Sequence, residues 1–581
     1  MPDLHAEVVD TLPKLRAAKT DLTTVEVKAA VGGLPKSVVE TVSAFSNTDG
    51  GLILLGLDET TGFFALDVDA GKLASDLASA CADQIEPPIR PEIEIVEIEG
   101  RSVVAALVEP LPPTHKPCFI RTRGIERGSF VRTFDGDRTL STYEVHVLQS
   151  SRGQPGDDTI VVEQATVGDL DPALTDALVR RLRSTRGQTF ASASDEEVLD
   201  MMGVTVNRDG IRGVTLAGLL ALGRFPQQFL PQLDVTFVVF PTTSGEPLQD
   251  GTRFLDNQSI DGPIPRMVAE TLAAMRRNMK RRSIVLGLGR EDRWEYPEEA
   301  IRELIANALM HRDYHPLAHG TQVRVSLYPD RLEVSSPGGL HGPVSRDDLL
   351  AEPVSSSRNA RLAKLLEDVE IESTNRTVCE NRGSGLLATA AALRDAGMEP
   401  PQVIDAVREF RMVIKNHGLL DDEAVAWLST IDTARLNDRQ RLALAFLRRN
   451  SRITNQNYRS VTGTDSLTAT RELTGLAAEG LIEKRSDRRW TVWVLAGAED
   501  QSQLDLDSES VSGSRTDRRA AIRALLRPGA RSTLELADQL KISRQGVLRW
   551  LRQMEADGEV EPTSDRRRSR HNRWRLRDGV D

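Results

Sequence analysis

The sequence predicts a multidomain protein of mixed α/β and α+β class, and three observations carry that expectation. First, 581 residues exceed what one hydrophobic core organises, so roughly three to five domains are expected. Second, strand-length apolar runs such as LILLGL alternate with helix-length amphipathic stretches. Third, an acidic, Ser-rich run at 496–515 is poor in apolar residues and reads as a disordered linker between folded units. With 39% hydrophobic and 28% charged residues, there is core material for each unit.

Residues 1–150 form the first unit. A short helix precedes a strand at 25–30. Pro35 sits near the first turn of a helix that runs to 46. Asn47-Thr48-Asp49-Gly50-Gly51 breaks that helix, and 52–57 is a buried strand. EIEIVEI, SVVAALVEP and 130–134 read as further strands. SSRGQPGDD marks a linker over 151–165. Residues 166–290 form a connecting α/β region, with an apolar helix at 214–223 and a strand at 234–240. Within 291–410, Pro297 opens a helix, and two alternating strands joined around Pro329-Asp330 make a hairpin. Two small helical units follow, at 435–495 and 516–577.

Net charge is −12, but its sign is unevenly spread. Over 515–577 there are 17 Lys and Arg against 8 Asp and Glu, about +9, leaving about −21 elsewhere. A basic tail on an acidic body points to a local anion-binding module. Cys81, Cys118 and Cys379 are far apart and lack metal-ligand spacing, which points to a reducing, cytoplasmic compartment. No signal-peptide core opens the chain, and no apolar run reaches the roughly 20 residues of a membrane helix. No membrane partner is expected.

In the first unit, Glu26-x-Lys28, SAFSNTDGGLILLG, the strand running into Gly56-Leu57-Asp58-Glu59, and KPCFIRTRG with SFVRTF resemble the Alba-like domain of the Schlafen group. Gly50 and Gly51 let the chain turn sharply and leave backbone N–H groups accessible. Lys28, Lys116, Arg121, Arg123 and Arg132 are candidates to face phosphates. In nuclease members of the group, three carboxylates form a metal-dependent site. Carried over, the resemblance implies Asp21 and Glu26, five apart, with Asp58 or Glu59 as the third. Such a cluster holds divalent cations that activate water.

In RELIANALMHRDY, Glu303, Asn307 and His311 recur every four residues and share one helical face. With DRLEVSSPGG, RNARLAKLL and NRGSGLL, this stretch resembles the ATP-binding domain of the GHKL type. The closer likeness is to its divergent, helicase-related (RecG-related) form fused to Schlafen-type domains in bacterial regulators. The resemblance implies ATP and Mg²⁺ as ligands. It assigns Glu303 to the attacking water, Asn307 to Mg²⁺, and Gly383 and Gly385 to a lid whose backbone approaches phosphate. His311, Arg312, Gly338, Gly339, Arg358 and Asn359 are expected at the same site. One departure matters. The family's Asp-x-Gly, which receives the adenine amino group, is here Ser335-Ser336-Pro337-Gly338-Gly339, without an Asp. No GxxxxGK[ST] loop occurs, so the phosphate cradle of a translocating motor is missing.

The last two units each read as helix, helix-turn-helix and a basic hairpin, and resemble winged helix-turn-helix domains. In 516–577, Thr533 or Ser532 caps the second helix and Ser543 the third. The third buries Val547, Leu548, Leu551 and Met554. Ser543, Arg544, Gln545 and Arg549 are donors suited to phosphates and base edges, and Arg566, Arg567, Arg568 and Arg570 form a wing tip. In 435–495, Ser466, Thr468, Thr470 and Arg471 would face the groove.

These readings converge on a DNA-binding regulator, of the transcription type, with a nucleotide-binding module. The alternative is a metal-dependent nuclease acting on RNA or DNA, in defence against foreign nucleic acid. Paired half-sites on DNA would suit a dimer.

Overall fold

The computed structural model describes residues 4–497 apart from 19–20, 134–135, 209–210, 287–288, 345, 347–348, 351–355, 372–373, 375, 380–382, 384, 417, 421, 432–435 and 488–489. Beyond these it describes 522–523, 525–527, 529–533, 535–536, 547, 550–551, 554–555, 559–563 and 573–577. The chain divides into two compact units, Met1–Glu499 and Asp500–Asp581. Most of the expected linker at 496–515 lies outside the described residues.

The N-terminal sheet runs Val25–Lys28, Gly51–Leu55, Arg101–Val108, Glu92–Ile98, with the first pair parallel and the others antiparallel. Its strand Gly51–Leu55 is buried on both faces, which explains the unbroken apolar run. Ile53 and Leu55 pack with Phe45 and Leu73 from helices Val38–Asn47 and Ala70–Asp83. Leu52 and Leu54 point the other way, into a second core with Val8, Leu12 and Leu15 of helix Leu4–Ala18. The Gly50-Gly51 turn serves packing rather than an open backbone. Gly50 N–H donates to Phe45 O at 3.0 Å, and a Cβ at Gly51 would lie 2.5 Å from the Phe45 ring.

The larger sheet has six strands in the order Asp256–Ile260, Val235–Val239, Val323–Leu327, Arg331–Pro337, Glu409–Lys415, Gln402–Ala406. The expected hairpin is its centre. Val235–Val239 runs parallel to Val323–Leu327, so the chain between them must cross over. That crossover carries helices Ile264–Asn278 and Glu298–Met310, which pack into the core over the sheet with Gly385–Asp395. A boundary at 290 therefore cuts through one layered body, which begins at the strand assigned to the connecting region.

The stretch expected as a linker at 151–165 is a structured strap. Gln154 Nε2 donates to Ser357 O and Arg358 O, at 3.0 and 2.6 Å. Buried Asp158 accepts from Arg361 N and Leu362 N, at 2.8 and 3.0 Å, and so caps helix Ala360–Leu366. Just before the strap, helix Thr142–Ser150 touches the turn after Glu298–Met310. Tyr143 Oη donates to Asp313 at 3.0 Å, and the His146 and His315 rings stack 3.6 Å apart.

Residues 438–495 fold as helix Asp438–Asn450, strand Ile453–Thr454, helices Asn455–Thr462 and Ser466–Ala478, and strands Ile482–Asp487 and Trp490–Leu495, with Trp490–Leu495 central in the sheet. Asn437, Thr454 and Asp465 cap the three helices. In the second unit, strands Arg531–Ser532, Arg573–Leu576 and Val560–Pro562 form one sheet over Ile522, Leu536, Val547, Leu551 and Met554. Ser532 is the capping residue there, since its Oγ accepts from Glu535 N at 3.2 Å. Among the described residues, no helix is long and apolar enough to cross a membrane.

Candidate nucleotide pocket and nucleic-acid surfaces

A cavity of about 620 Å³ lies beside helix Glu298–Met310. Pro297 ends the preceding extended segment and opens this helix, whose apolar face, including Ile301, Leu304, Ile305 and Leu309, enters the core. Glu303, Asn307 and His311 all line the cavity, as the four-residue spacing implies. Asn307 Nδ2 donates to Glu303 Oε1 at 3.1 Å. That bond fixes the amide's direction and leaves Oδ1 to face a ligand.

Gly338, Gly339, Gly383 and Gly385 line the same cavity. Gly385 lets the Glu303 carboxylate lie close, because a Cβ there would stand 1.7 Å from Glu303 Oε1. The Glu303 carboxylate thus sits against the start of the eleven-residue helix Gly385–Asp395, where the backbone dipole favours negative charge. Gly338 has φ +88°, and a Cβ would meet Arg358 Nη1 at 2.0 Å.

At the other end, Val334, Leu340, Phe410 and Met412 give an apolar floor. Ser336 lines it where the family's Asp would stand, and its Oγ donates to Ala308 O at 2.7 Å. His311 and His341 are both pushed down to about 4, by burial first and by the Arg358 charge second. Both imidazoles are therefore neutral near pH 7.

Three expected ligands play a different part. Arg312 is buried and donates to Gln232 O and Ala318 O, at 3.3 and 3.2 Å, and to Thr321 O. Asn359 Nδ2 donates to Met310 O and Arg312 O, at 2.9 and 2.7 Å. Arg358 Nη2 donates to Gly339 O at 2.8 Å, and its Nη1 is 3.5 Å from Asp313. Asn359 thereby satisfies a carbonyl left open where the helix ends, and the two guanidiniums tie neighbouring loops together. They shape the pocket from behind and do not line it. Conversely, sequence reasoning missed Arg181, Arg302, Arg376 and His341 as lining residues. His341 lies two residues past the recognised Gly-Gly pair, a usable signal. Arg181 comes from helix Pro172–Thr185, far away in sequence, and nothing local marks it.

In the N-terminal domain Asp21 lies close enough to Glu26 and Glu59 to feel both charges, whereas Asp58 is turned into its own loop. Glu26 is buried and bound to Arg132 Nη1 at 2.7 Å and to Lys28 Nζ. Arg132 also donates to Asp137 at 3.0 Å and to Thr23 O at 3.1 Å, so it is an internal tie and not a phosphate contact. Asp58 faces its own turn, accepting from Thr60 N and Oγ1 at 2.9 and 2.8 Å, which hold its carboxyl below the usual range. Asp21 is pushed up to about 7, by burial first and then by Glu26 and Glu59. Among the described residues, no three His, Cys, Asp or Glu side chains are grouped to hold a metal ion. Lys116 donates to Asn47 O at 2.9 Å, while Arg121 and Arg123 pair with Glu86 and Glu40 at 2.9 and 2.7 Å.

Arg471 is exposed on helix Ser466–Ala478. Ser543, Arg544, Gln545, Arg549, Arg566, Arg567, Arg568 and Arg570, with Leu548, lie outside the described residues.

Residues 320–414 match the family described as "Putative ATP-dependent DNA helicase recG C-terminal". Residues 21–141 match the Schlafen AlbA_2 family, and 146–235 a domain of unknown function (DUF8451). The first match spans the hairpin and both glycine pairs but starts after the Glu303 helix. The chain thus carries a Schlafen AlbA_2 domain near its N-terminus and, further on, a RecG-related, GHKL-like domain. Among solved structures it is similar to the DIP2311 protein from Corynebacterium diphtheriae, at 18% identity over 98% of this chain and 99% of that one, with a TM-score of 0.36. It is also similar to the N-terminal domain of an ATP-dependent DNA helicase RecG-related protein from Nitrosomonas europaea, at 30% identity over 24% of this chain and 97% of that one, with a TM-score of 0.20. No curated protein matches the chain.

Proposed function

We propose that this protein is a DNA-binding transcriptional regulator whose GHKL-like module takes ATP with Mg²⁺. The observation that carries the nucleotide reading is that Glu303, Asn307, Gly383 and Gly385 line one cavity. Its volume, about 620 Å³, lies in the usual range for small-ligand sites. The donor set fits the group. Asn307 Oδ1 is a hard oxygen free to hold Mg²⁺, which would offset phosphate charge. Glu303 is placed to orient water, with Arg302 3.6 Å from its carboxylate. With Ser335-Ser336 where the family carries an Asp, nucleotide binding is the assigned activity.

The DNA reading draws on residues 438–495, whose helix–strand–helix–helix–strand–strand order is that of a winged helix. The basic composition of 515–577 supports a second DNA-binding module of the same kind. Cytoplasmic placement accords with three free, buried cysteines, with the Cys81 and Cys118 thiols pushed up to about 12 by burial. Isothermal titration of the full chain with Mg²⁺-ATP tests the pocket. Heat of binding is expected for the wild type and is lost in Asn307→Ala. No heat from the wild type, with and without DNA, refutes the reading. A gel shift whose affinity falls steeply with salt tests the DNA reading, and salt-insensitive binding refutes it.

A further inference from the structure

Helix Ser466–Ala478 buries Ala469, Glu472, Leu473 and Leu476. Its opposite face carries Leu467, Thr470, Arg471 and Thr474, all exposed and spaced three or four apart, so they form one stripe. No carboxylate interrupts it. Leu467 is 84% exposed, more than any other large apolar side chain among the described residues. The Thr470 and Thr474 hydroxyls are committed to carbonyls one turn back, Ser466 O at 2.9 Å and Thr470 O at 2.7 Å. Arg471 makes no hydrogen bond or ion pair among the described residues. The stripe therefore offers one guanidinium and one large apolar group, unpartnered and one helical turn apart.

The occupant that fits is duplex DNA. Over 437–494, 11 Lys and Arg stand against 6 Asp and Glu, so the surroundings complement a polyanion. A second protein surface would meet an apolar stripe only one side chain wide. The major groove displays a single apolar group, the 5-methyl of thymine, beside hydrogen-bonding edges that a leucine cannot pair with. Resting on the DNA reading above, we infer that Leu467 reads the 5-methyl group of a thymine, with Arg471 contacting the adjoining base pairs or phosphates. Leu467 is then the residue of this helix that sets sequence preference, and Arg471 sets affinity.

The test uses the full-length chain and a duplex that it selects from a random DNA library. Each thymine of the selected duplex is replaced in turn by deoxyuridine, which removes only the methyl group. Wild type is expected to lose roughly three- to five-fold in affinity at one position, the worth of one buried methyl. Leu467→Ala is expected to bind both duplexes alike, at the wild-type affinity for the uracil duplex, with an unchanged melting temperature because the side chain is exposed. Thymine contacts made by the C-terminal unit persist in Leu467→Ala and are thereby separated. Indifference of the wild type to every substitution, or an equal loss in Leu467→Ala, overturns the inference while leaving DNA binding standing. Failure to select any duplex overturns the DNA reading and this inference with it.

Discussion

A single added methyl group at position 385 would test the pocket at the finest scale. Alanine favours the helix that Gly385 begins, so folding tolerates it, yet its Cβ would collide with Glu303 Oε1. The carboxylate must swing away and release the Asn307 amide. Gly385→Ala is expected to weaken Mg²⁺-ATP binding at least about tenfold, measured by titration, with little change in melting temperature. Asp21 gives a second residue-scale prediction. Its folded-state pKa of about 7 lies above the ordinary carboxylate value, so the proton it holds stabilises the fold at low pH. That contribution is complete below about pH 4 and is lost as pH rises through 7. Asp21→Asn keeps an acceptor for Val27 N–H, which now bonds Oδ1 at 3.2 Å. The variant should match wild type near pH 4 and exceed it by roughly 1–3 kcal/mol at pH 8, as thermal melts across that range would show.

Elements were readable in the sequence where their signal is local. The pocket helix shows itself by Glu303, Asn307 and His311 at four-residue spacing, and the helix–turn–helix order of 435–495 is likewise visible in its sequence. Long-range partnership was not readable. Val235–Val239 looks like any apolar strand until it pairs with Val323–Leu327, and Asp158 looks like a linker acid until it caps a helix some 200 residues on. A guanidinium has the same letter in solvent or in a core, which is why Arg132, Arg312 and Arg358 were misplaced as ligands. Glu472 shows what such internal pairing does for an element. It sits buried on Ser466–Ala478 and is held down to about 2, chiefly by Arg439, and also by Tyr458 Oη at 2.6 Å and Asn437 Nδ2 at 2.9 Å. These bonds join all three helices. Because the folded pKa is depressed, the stabilisation is present above about pH 4.5 and is lost as pH falls through about 2. Glu472→Gln is expected to cost about 2–4 kcal/mol at pH 7 and to flatten the acid limb of the melting curve.

Across the whole of the first unit, one element spans from the candidate pocket to the helices proposed to bind DNA. Helix Gly385–Asp395 starts against Glu303 and packs, further along, on Asn455–Thr462. Near its end the Arg394 guanidinium lies 3.0 Å from where a Cβ of Gly463 would be, in the turn between helices Asn455–Thr462 and Ser466–Ala478. Gly463 has φ +72°, the left-handed conformation that closes this turn and that glycine adopts without strain. A nucleotide that displaced the start of the helix from Glu303 would shift its far end against this turn, since packed helices move as bodies. Such a shift changes DNA affinity only if nucleotide binds the two arrangements unequally. The expected coupling is the ordinary five- to 150-fold, or about 1–3 kcal/mol. Linkage demands that DNA change nucleotide affinity by the same factor, so both arms of the cycle can be measured on one preparation. Arg394→Ala touches neither ligand and should bring the coupling factor toward one while leaving each separate affinity in place. Equal DNA affinity with and without saturating Mg²⁺-ATP in the wild type would show that the helix is a strut and not a transmitter.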